Sequence, residues 1–227
     1  MKQLILDGSK IKLDEIADFL NTKTSVSIAD NVIKNLSQVR DFVDAKIKTN
    51  NAYYGINTGF GKLANKRIAD HELNKLQENI ILSHAVGVGE AFSINTARLI
   101  MLLRAHVLAK GFSGVRAKTL QLLVNMINHK VTPVIPCQGS VGASGDLAPL
   151  AHIGLTMIGK GEAYFKTKKL TASQALQQAE LKAINLAAKE GLALVNGTQA
   201  ITAVGAQALI KAIKLLKTAD VIGAVSL

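Results

Sequence analysis

The sequence predicts a mainly α fold, and this prediction rests on its composition. Hydrophobic residues make up 48% of the 227 residues, but aromatic residues only 4%, and tryptophan is absent. A core of this kind consists of Leu, Ile, Val and Ala side chains. With only 3 prolines in the chain, such a composition favours helices over a β-sandwich. The length is sufficient to bury a sizeable core, as one large domain or one and a half.

The predicted elements follow from apolar periodicity and from residues that begin or end helices. A short strand is predicted at 4–6, a glycine-rich loop at 51–61 and a hairpin at 161–170. The segments predicted to be helical are 13–20, 30–48, 70–83, 93–111, 115–129, 147–158, 171–179 and 198–227. Two prolines and a glycine within 133–139 predict an irregular stretch ahead of the helix at 147–158.

Three short polar residues are predicted to cap helices, namely Asp70, Ser93 and Thr171. Their side-chain oxygens can accept hydrogen bonds from the amides of the first helical turn, which have no partner within the helix. Gly111 is predicted to end the helix that Ser93 begins, because glycine readily adopts the left-handed backbone found after helices.

The last predicted helix is expected to open a second structural unit. We predict an N-terminal domain over 1–195 and the first helix of a central bundle over 196–227, cut short by the end of the chain. Its predicted buried stripe follows helical spacing and consists of Ile201, Val204, Ala208, Leu209, Ala212, Leu215 and Leu216. Lys214 and Lys217 fall on the opposite face.

Charge and residue spacing argue against three kinds of ligand or partner. The formal net charge is +11, but the lysines are spread along the chain without interleaved aromatic residues, so no nucleic-acid partner is expected. Lysines also interrupt the apolar stretch 198–227, so no membrane span is expected. His71, His106, His129 and His152 show no metal-binding spacing with one another or with Cys137.

The single cysteine and the N-terminus together predict a cytoplasmic protein. One cysteine, Cys137, rules out an internal disulfide and fits a reducing compartment. The apolar run within residues 1–8 is too short for a signal peptide.

The most informative segment is Ala143-Ser144-Gly145, which is followed by Asp146. Because Gly145 has no side chain, its amide nitrogen can approach the Ala143 carbonyl carbon closely. Ring closure with loss of two water molecules, one of them from Ser144, would create an exocyclic methylene, which is an electrophile. The alternative is an ordinary turn. Asp146 could cap the following helix or hold the three residues in a ring-closing geometry.

Two other interpretations of this segment fail on sequence grounds. A nucleophile elbow requires Gly-x-Ser-x-Gly, but Asp146 occupies the position of the last glycine. A phosphate-binding loop requires a lysine followed by Ser or Thr at its end, and the segment contains no lysine.

The chain resembles the aromatic amino acid ammonia-lyases, and most specifically the histidine-specific members. Four segments carry the resemblance in matching order and spacing: 53–61, 83–89, 142–150 and 196–198. The resemblance implies the ammonia-lyase (fumarase/aspartase-like) fold. It also implies that Ala143, Ser144 and Gly145 cyclise autocatalytically to 4-methylideneimidazol-5-one, with no external cofactor.

The resemblance further implies a role for three residues outside the triad of Ala143, Ser144 and Gly145. Tyr54 is expected to act as a catalytic acid or base, and Asn196 to donate a hydrogen bond to the ring carbonyl; by itself, Asn196 also suits the N-cap of the last helix. His84 is expected to bind the substrate, because the pair Ser83-His84 matches histidine-specific members. A histidine ring can hydrogen-bond an imidazole but finds no such partner on a phenyl ring.

The implied reaction is non-oxidative elimination of ammonia from L-histidine to give trans-urocanate, the first step of histidine degradation, in a homotetramer. One alternative is an ammonia-lyase or aminomutase of the same family that acts on tyrosine or phenylalanine. Another is a catalytically inactive fragment, because family members are about twice as long and the chain ends at Leu227. On that reading the 227 residues alone are expected to be inactive.

Overall fold

The computed structural model describes residues 2–21, 24–49, 51–59, 61–141 and 145–226. Helices dominate the fold, which confirms the predicted mainly α class. Their bounds are α1 Leu13–Asn21, α2 Asp30–Ile47, α3 Leu73–His84, α4 Ile94–Ala109, α5 Ala117–Asn128, α6 Leu147–Met157, α7 Ala172–Gln178, α8 Glu190–Val195 and α9 Gln199–Ser226. Two 3-10 turns, Gly61–Leu63 and Asp70–Glu72, precede α3.

Short strands pair at the periphery of the helices. They are β1 Lys2–Leu6, β2 Thr24–Ile28, β3 Val88–Ala91, β4 Val131–Pro133, β5 Pro136–Gln138, β6 Glu162–Phe165 and β7 Lys168–Thr171. β1 pairs with β2 in parallel, β3 pairs with β5 antiparallel, and β4, β6 and β7 form an antiparallel sheet. The β6–β7 hairpin was predicted, whereas β2, β3, β4 and β5 were not. β5 and the last residue of β4 lie in the stretch 133–139 that was expected to be irregular.

Two of the three predicted caps are confirmed. Ser93 Oγ accepts a hydrogen bond from the Thr96 amide at 3.2 Å, and Thr171 forms a reciprocal capping box with Gln174. The predicted role of Asp70 is wrong, because α3 begins only at Leu73 and the Asp70 carboxylate instead accepts a hydrogen bond from Arg67 at 2.9 Å. The structure therefore uses a 3-10 turn where the sequence suggested a capped α-helix.

Helix α4 lies at the centre of the core. Leu99, Ile100, Met101 and Leu102 are four successive residues and all are fully buried, so the helix is covered on every side. It packs against α1, α5, α9, β1 and β4. The helix ends at Ala109, and Gly111 follows with a φ of 82°, as predicted for a glycine after a helix.

The predicted buried stripe of α9 is wrong. The side that packs on the core carries Gln199, Ala200 and Ala203, followed by the partly buried Ala206 and Ile210. Small side chains along this side allow α9 and α4 to approach each other closely. The residues expected to be buried, from Ile201 to Leu216, are exposed. Those before residue 211 lie on the sides of α9 that face away from the core, and from residue 211 onward every described residue of the helix is exposed.

No helix in the part of the chain that the structure describes combines the length and the apolar character needed to cross a membrane. The division at residue 195 stays a prediction.

Candidate active site

Three residues that the sequence singled out lie around one cavity of about 520 Å³. Tyr54, His84 and Asn196 line it, although they come from three distant parts of the chain. The loop before residue 60, helix α3, the first residue of α6 and the end of α8 form its walls. The remaining lining residues are Gly59, Ile68, Leu76, Asn79, Ile80, Ser83, Leu147, Leu192 and Val195.

The triad lies next to this cavity through the residues that follow it in the chain. Ala143 and Ser144 lie outside the described residues, so only Gly145 can be placed. Leu147, two residues after Gly145, lines the cavity, and Gly145 itself packs on Gly197, the neighbour of Asn196. The segment in which we expect the electrophile thus joins the cavity wall next to Asn196.

The loop that carries Tyr54 is held by the buried side chain of Asn57. Its Oδ1 accepts a hydrogen bond from the Tyr53 amide at 2.7 Å, and its Nδ2 donates to the Asn51 carbonyl at 2.9 Å. Gly55 has a φ of 74°, and a Cβ there would lie 2.5 Å from a methyl carbon of Leu192. The loop therefore packs tightly on α8 and leaves the Tyr54 side chain, which is 62% exposed, at the cavity.

His84 ends α3, and its ring orientation is determined by the turn before it. Its Nδ1 lies 2.8 Å from the Ile80 carbonyl oxygen and 3.1 Å from Ser83 Oγ. Because a carbonyl oxygen can only accept, Nδ1 carries the hydrogen and Nε2 of the neutral ring is an acceptor. The half-buried ring therefore offers the cavity a hydrogen-bond acceptor.

Asp146 does not cap its own helix, which corrects one of the two roles expected for it. The buried carboxylate instead accepts hydrogen bonds from Ser140 Oγ at 2.6 Å and from the Ile201 amide at 2.9 Å, in the first turn of α9. Its own amide donates to the Gly197 carbonyl at 2.6 Å. Asp146 thereby fastens the segment after the triad to the turn that precedes α9.

Gly145 occupies a position that only glycine fits. Its φ is 106°, and a Cβ built on it would lie 2.5 Å from the Gly197 carbonyl oxygen. Both features make a side chain unfavourable here. The residue that would supply the ring-closing amide is thus a glycine pressed against a rigid turn, an arrangement that fits formation of the predicted ring.

Asn196 is the C-cap of α8 and lies three residues before α9, so its predicted position as the N-cap of α9 is wrong. Its backbone amide still belongs to α8 and donates to the Leu192 carbonyl at 3.0 Å. The exposed side chain borders the cavity. In the first turn of α9, the Ile201 amide donates its hydrogen bond to the Asp146 carboxylate instead.

Arg104 was given no role at the site from the sequence. The side chain is only 1% exposed, and its guanidinium donates to the Asn196 carbonyl at 3.0 Å, to Gln199 Oε1 at 2.7 Å and to the Ala193 carbonyl. Burial lowers the pKa of Arg104 to about 10, so the group stays charged at neutral pH. Burying an unpaired charge costs on the order of several kcal/mol. The carbonyl dipoles at the end of α8 offset this cost. Arg98 and Arg104 interrupt a mostly apolar helix, and this is the signal that the sequence offers.

The other end of α8 is held equally firmly. Gln77, fully buried on α3, accepts hydrogen bonds from the Gly191 and Leu192 amides at 2.9 and 3.3 Å. Glu190 is also fully buried and pairs with Arg116 at 2.5 Å. Burial raises the pKa of Glu190, but hydrogen bonds from Arg116, the Ala187 amide and Thr119 outweigh it, and the net pKa lies below its ordinary value.

The described lining of the cavity contains neither lysine nor arginine. An amino acid bound there would therefore find no cationic partner for its carboxylate among those residues. In the described ranges, no group of three or more His, Cys, Asp or Glu side chains is placed to hold a metal ion.

A sequence model described as aromatic amino acid lyase matches residues 11–227. The chain is 50% identical to a histidine ammonia-lyase of Stigmatella aurantiaca over 225 residues, which cover 99% of this chain and 44% of that protein. The chain thus spans less than half the length of this relative.

Solved structures agree with the sequence match. The crystal structure of histidine ammonia-lyase from Trypanosoma cruzi has a TM-score of 0.85 at 38% identity and covers 94% of this chain and 41% of its own. A phenylalanine aminomutase of Pantoea agglomerans has a TM-score of 0.88 at 30% identity and covers 96% and 42%.

Proposed function

Because the chain belongs to the aromatic amino acid lyase family, we propose that it forms the N-terminal part of a histidine ammonia-lyase. The whole enzyme would eliminate ammonia non-oxidatively from L-histidine and release trans-urocanate, the first step of histidine degradation. The observation that carries this proposal is the single cavity that brings Tyr54, His84 and Asn196 together beside Gly145. The 50% identity to a histidine ammonia-lyase supports the same substrate.

His84 is the proposed specificity residue. Its Nδ1 hydrogen is engaged by the Ile80 carbonyl, so Nε2 would accept a hydrogen bond from the N–H of a substrate imidazole. A phenylalanine side chain has no donor to offer and would leave this acceptor unpaired, which disfavours its binding. The alternative substrates tyrosine and phenylalanine are therefore less well matched, although the aminomutase structure shares the fold.

The other proposed roles concern proton transfer and polarisation. The 4-methylideneimidazol-5-one group formed from Ala143, Ser144 and Gly145 would supply an electrophile that no amino-acid side chain provides. Tyr54, placed on a tight loop at the cavity, would transfer a proton to or from the substrate. Asn196 would direct its amide donor at the ring carbonyl, because its backbone is fixed at the end of α8.

The 227 residues alone are proposed to be inactive. No cation among the described lining residues could pair with the carboxylate of a bound amino acid, so a residue from elsewhere must complete the site. We propose that the whole protein supplies it as a homotetramer in the cytoplasm, with L-histidine as its small-molecule partner and neither nucleic acid nor membrane involved.

Replacing Ser144 in the full-length protein tests the electrophile. Ser144→Ala removes the hydroxyl that ring closure would eliminate, and we expect turnover of L-histidine to fall by at least about a thousandfold. Ser37→Ala, on the exposed side of α2, is the matched control and should retain full activity. Near-normal turnover by Ser144→Ala would refute the proposed electrophile.

A substrate panel tests the proposed specificity. The full-length enzyme should turn over L-histidine faster than L-phenylalanine or L-tyrosine. His84→Leu should lower kcat/KM for histidine by about a hundredfold, because it removes the acceptor for the imidazole N–H. Faster turnover of phenylalanine or tyrosine by the unmodified enzyme would instead favour the alternative function.

A further inference from the structure

Arg104 contacts the turn formed by Asn196 and Gly197, on which Gly145 also packs. Its Nη1 donates to the Asn196 carbonyl at 3.0 Å and to Gln199 Oε1 at 2.7 Å, while Nη2 donates to the Ala193 carbonyl. One guanidinium thereby links the end of α8 to the start of α9, the two helices that flank the turn. Such a link requires a planar donor with a fixed fork, which lysine lacks.

Gly197 is enclosed between this guanidinium and the segment after the triad. A Cβ at Gly197 would lie 2.3 Å from Arg104 Nη1, so the fork contacts the turn directly. The Gly197 carbonyl in turn accepts a hydrogen bond from the Asp146 amide at 2.6 Å and lies where a Cβ of Gly145 would collide. If the turn moved after loss of the Arg104 side chain, the surface on which Gly145 packs would therefore change.

The same fork determines where Asn196 points. Arg104 binds the carbonyl of Asn196, and the Asn196 amide is the last hydrogen-bond donor of α8. With both backbone groups fixed, the side chain projects from a rigid point at the edge of the cavity. Helix α8 has only 6 residues, too few to be stable by itself, so it depends on such contacts at its ends.

We propose that Arg104 is a positioning residue for this site: it holds the turn of Asn196 and Gly197 against Gly145. It acts through the Asn196 and Ala193 carbonyls and the Gln199 side chain, and it is not among the residues that line the cavity. Loss of the fork affects two properties, the extent of ring closure at 143–145 and the placement of the Asn196 amide. This inference rests on the proposed function.

Arg104→Lys in the full-length protein is the decisive variant. It keeps the charge but cannot reach three acceptors at once. Among correctly assembled molecules, we expect the fraction of chains lighter by two water molecules to fall severalfold, with kcat reduced about tenfold or more and KM changed less than threefold. The mass measurement detects ring closure independently of activity, and a purely structural role would lower stability without changing it.

Arg98→Lys is the matched control because it lies on the same helix. Arg98 is also partly buried, and its guanidinium carbon lies 5.1 Å from the centroid of the Phe19 ring in α1, whereas the turn contacts described above are made by Arg104. The control should retain the complete mass change and the activity of the unmodified enzyme. An Arg104→Lys protein with complete mass change and kcat within twofold of the unmodified enzyme would overturn the inference.

Gln199→Leu alters the same contacts through an acceptor of the Arg104 guanidinium, and it tests the inference if Arg104→Lys does not fold. It removes one of the three acceptors, and we expect a smaller decrease in the same two measurements; no decrease would overturn the inference.

The unmodified enzyme separates this inference from the proposed function. If its chain shows no mass change, the proposed function fails, whereas equal masses of variant and unmodified chain refute only the role of Arg104.

Discussion

Helices α4 and α9 have similar apolar compositions but opposite surroundings. In α4, 11 of 16 residues are buried, including the charged Arg104. In α9, which has 28 residues, only Gln199, Ala200 and Ala203 are buried, and Leu215 and Leu216 are 71% and 65% exposed. The covered part of α9 is its beginning, where it meets α4 and the candidate site.

This difference shows where the stabilising contacts of the two helices lie. Buried side chains and hydrogen bonds concentrate on both sides of the turn that carries Asn196, between α4, α8 and the first turn of α9. Farther along α9, apolar side chains face solvent and contribute nothing to the site within this chain. The two helices therefore predict different responses to equivalent substitutions.

The largest contrast is expected between two leucines. Leu102→Ala in α4 leaves a cavity at a fully buried position and should lower the free energy of unfolding of the chain by about 3–5 kcal/mol. Leu216→Ala in α9 removes the same atoms from an exposed position and should change it by less than about 0.5 kcal/mol. Urea unfolding of both variants compares them, and equal losses would contradict the described difference in packing.

A second contrast concerns carboxylates. Glu190→Gln breaks the buried pair with Arg116 and should lower the free energy of unfolding by about 2–3 kcal/mol at neutral pH. Asp220→Asn on the exposed part of α9 should cost less than about 0.5 kcal/mol.

The pH dependence of the Glu190 contribution has a definite sign. Because the folded pKa of Glu190 lies below its unfolded value, the stabilisation is complete above about pH 4.5 and is lost as the pH falls through the folded pKa. The cost of Glu190→Gln, measured by urea unfolding against pH, should therefore shrink below pH 4.5. A cost that stays constant down to strongly acidic pH would rule out this account of the pair.

Two glycine-to-alanine substitutions should have smaller effects on stability, and the two effects should have opposite signs. Gly145→Ala places a methyl group against the Gly197 carbonyl at an unfavourable φ and should destabilise the chain by about 1–3 kcal/mol. A Cβ at Gly205 in α9 meets nothing within 4 Å, so Gly205→Ala should stabilise the helix by up to about 1 kcal/mol. Thermal unfolding would contradict the comparison if both variants shifted the midpoint in the same direction.

The smallest effect concerns association through the exposed part of α9. Its apolar side chains between Ile201 and Val225 form a surface of the kind that promotes contacts between molecules. Sedimentation of the 227-residue chain should show reversible self-association, weakened severalfold by Leu215→Glu and unchanged by Lys217→Glu. A stable monomer at high concentration would show that this surface does not drive association.

Local signals were predictable from the sequence, whereas pairing between distant segments was not. The caps at Ser93 and Thr171 and the 161–170 hairpin depend on residues within a few positions of one another. Strand β2 is short and pairs with β1 across an intervening helix, so no local pattern marks it. The packed side of α9 depends on which neighbour meets it, and the amphipathic pattern alone identified the wrong side.

The site shows the same limit. Tyr54, His84 and Asn196 were selected by resemblance, and the structure places them around one cavity. The cap of α9 could not be predicted, because Asp146 reaches the Ile201 amide from 55 positions away in the sequence. Arg104 shares a mostly apolar helix with Arg98, and nothing local marks it, because its three acceptors lie about 90 residues away along the chain.

The most direct test of the account is the intact mass of the purified full-length protein, with peptide mapping of residues 143–145. We predict a chain lighter than its sequence by two water molecules, with the loss mapped to these residues and absent from Ser144→Ala. An active enzyme with the full sequence mass would contradict the account, because the cavity beside Gly145 would then operate without the predicted electrophile.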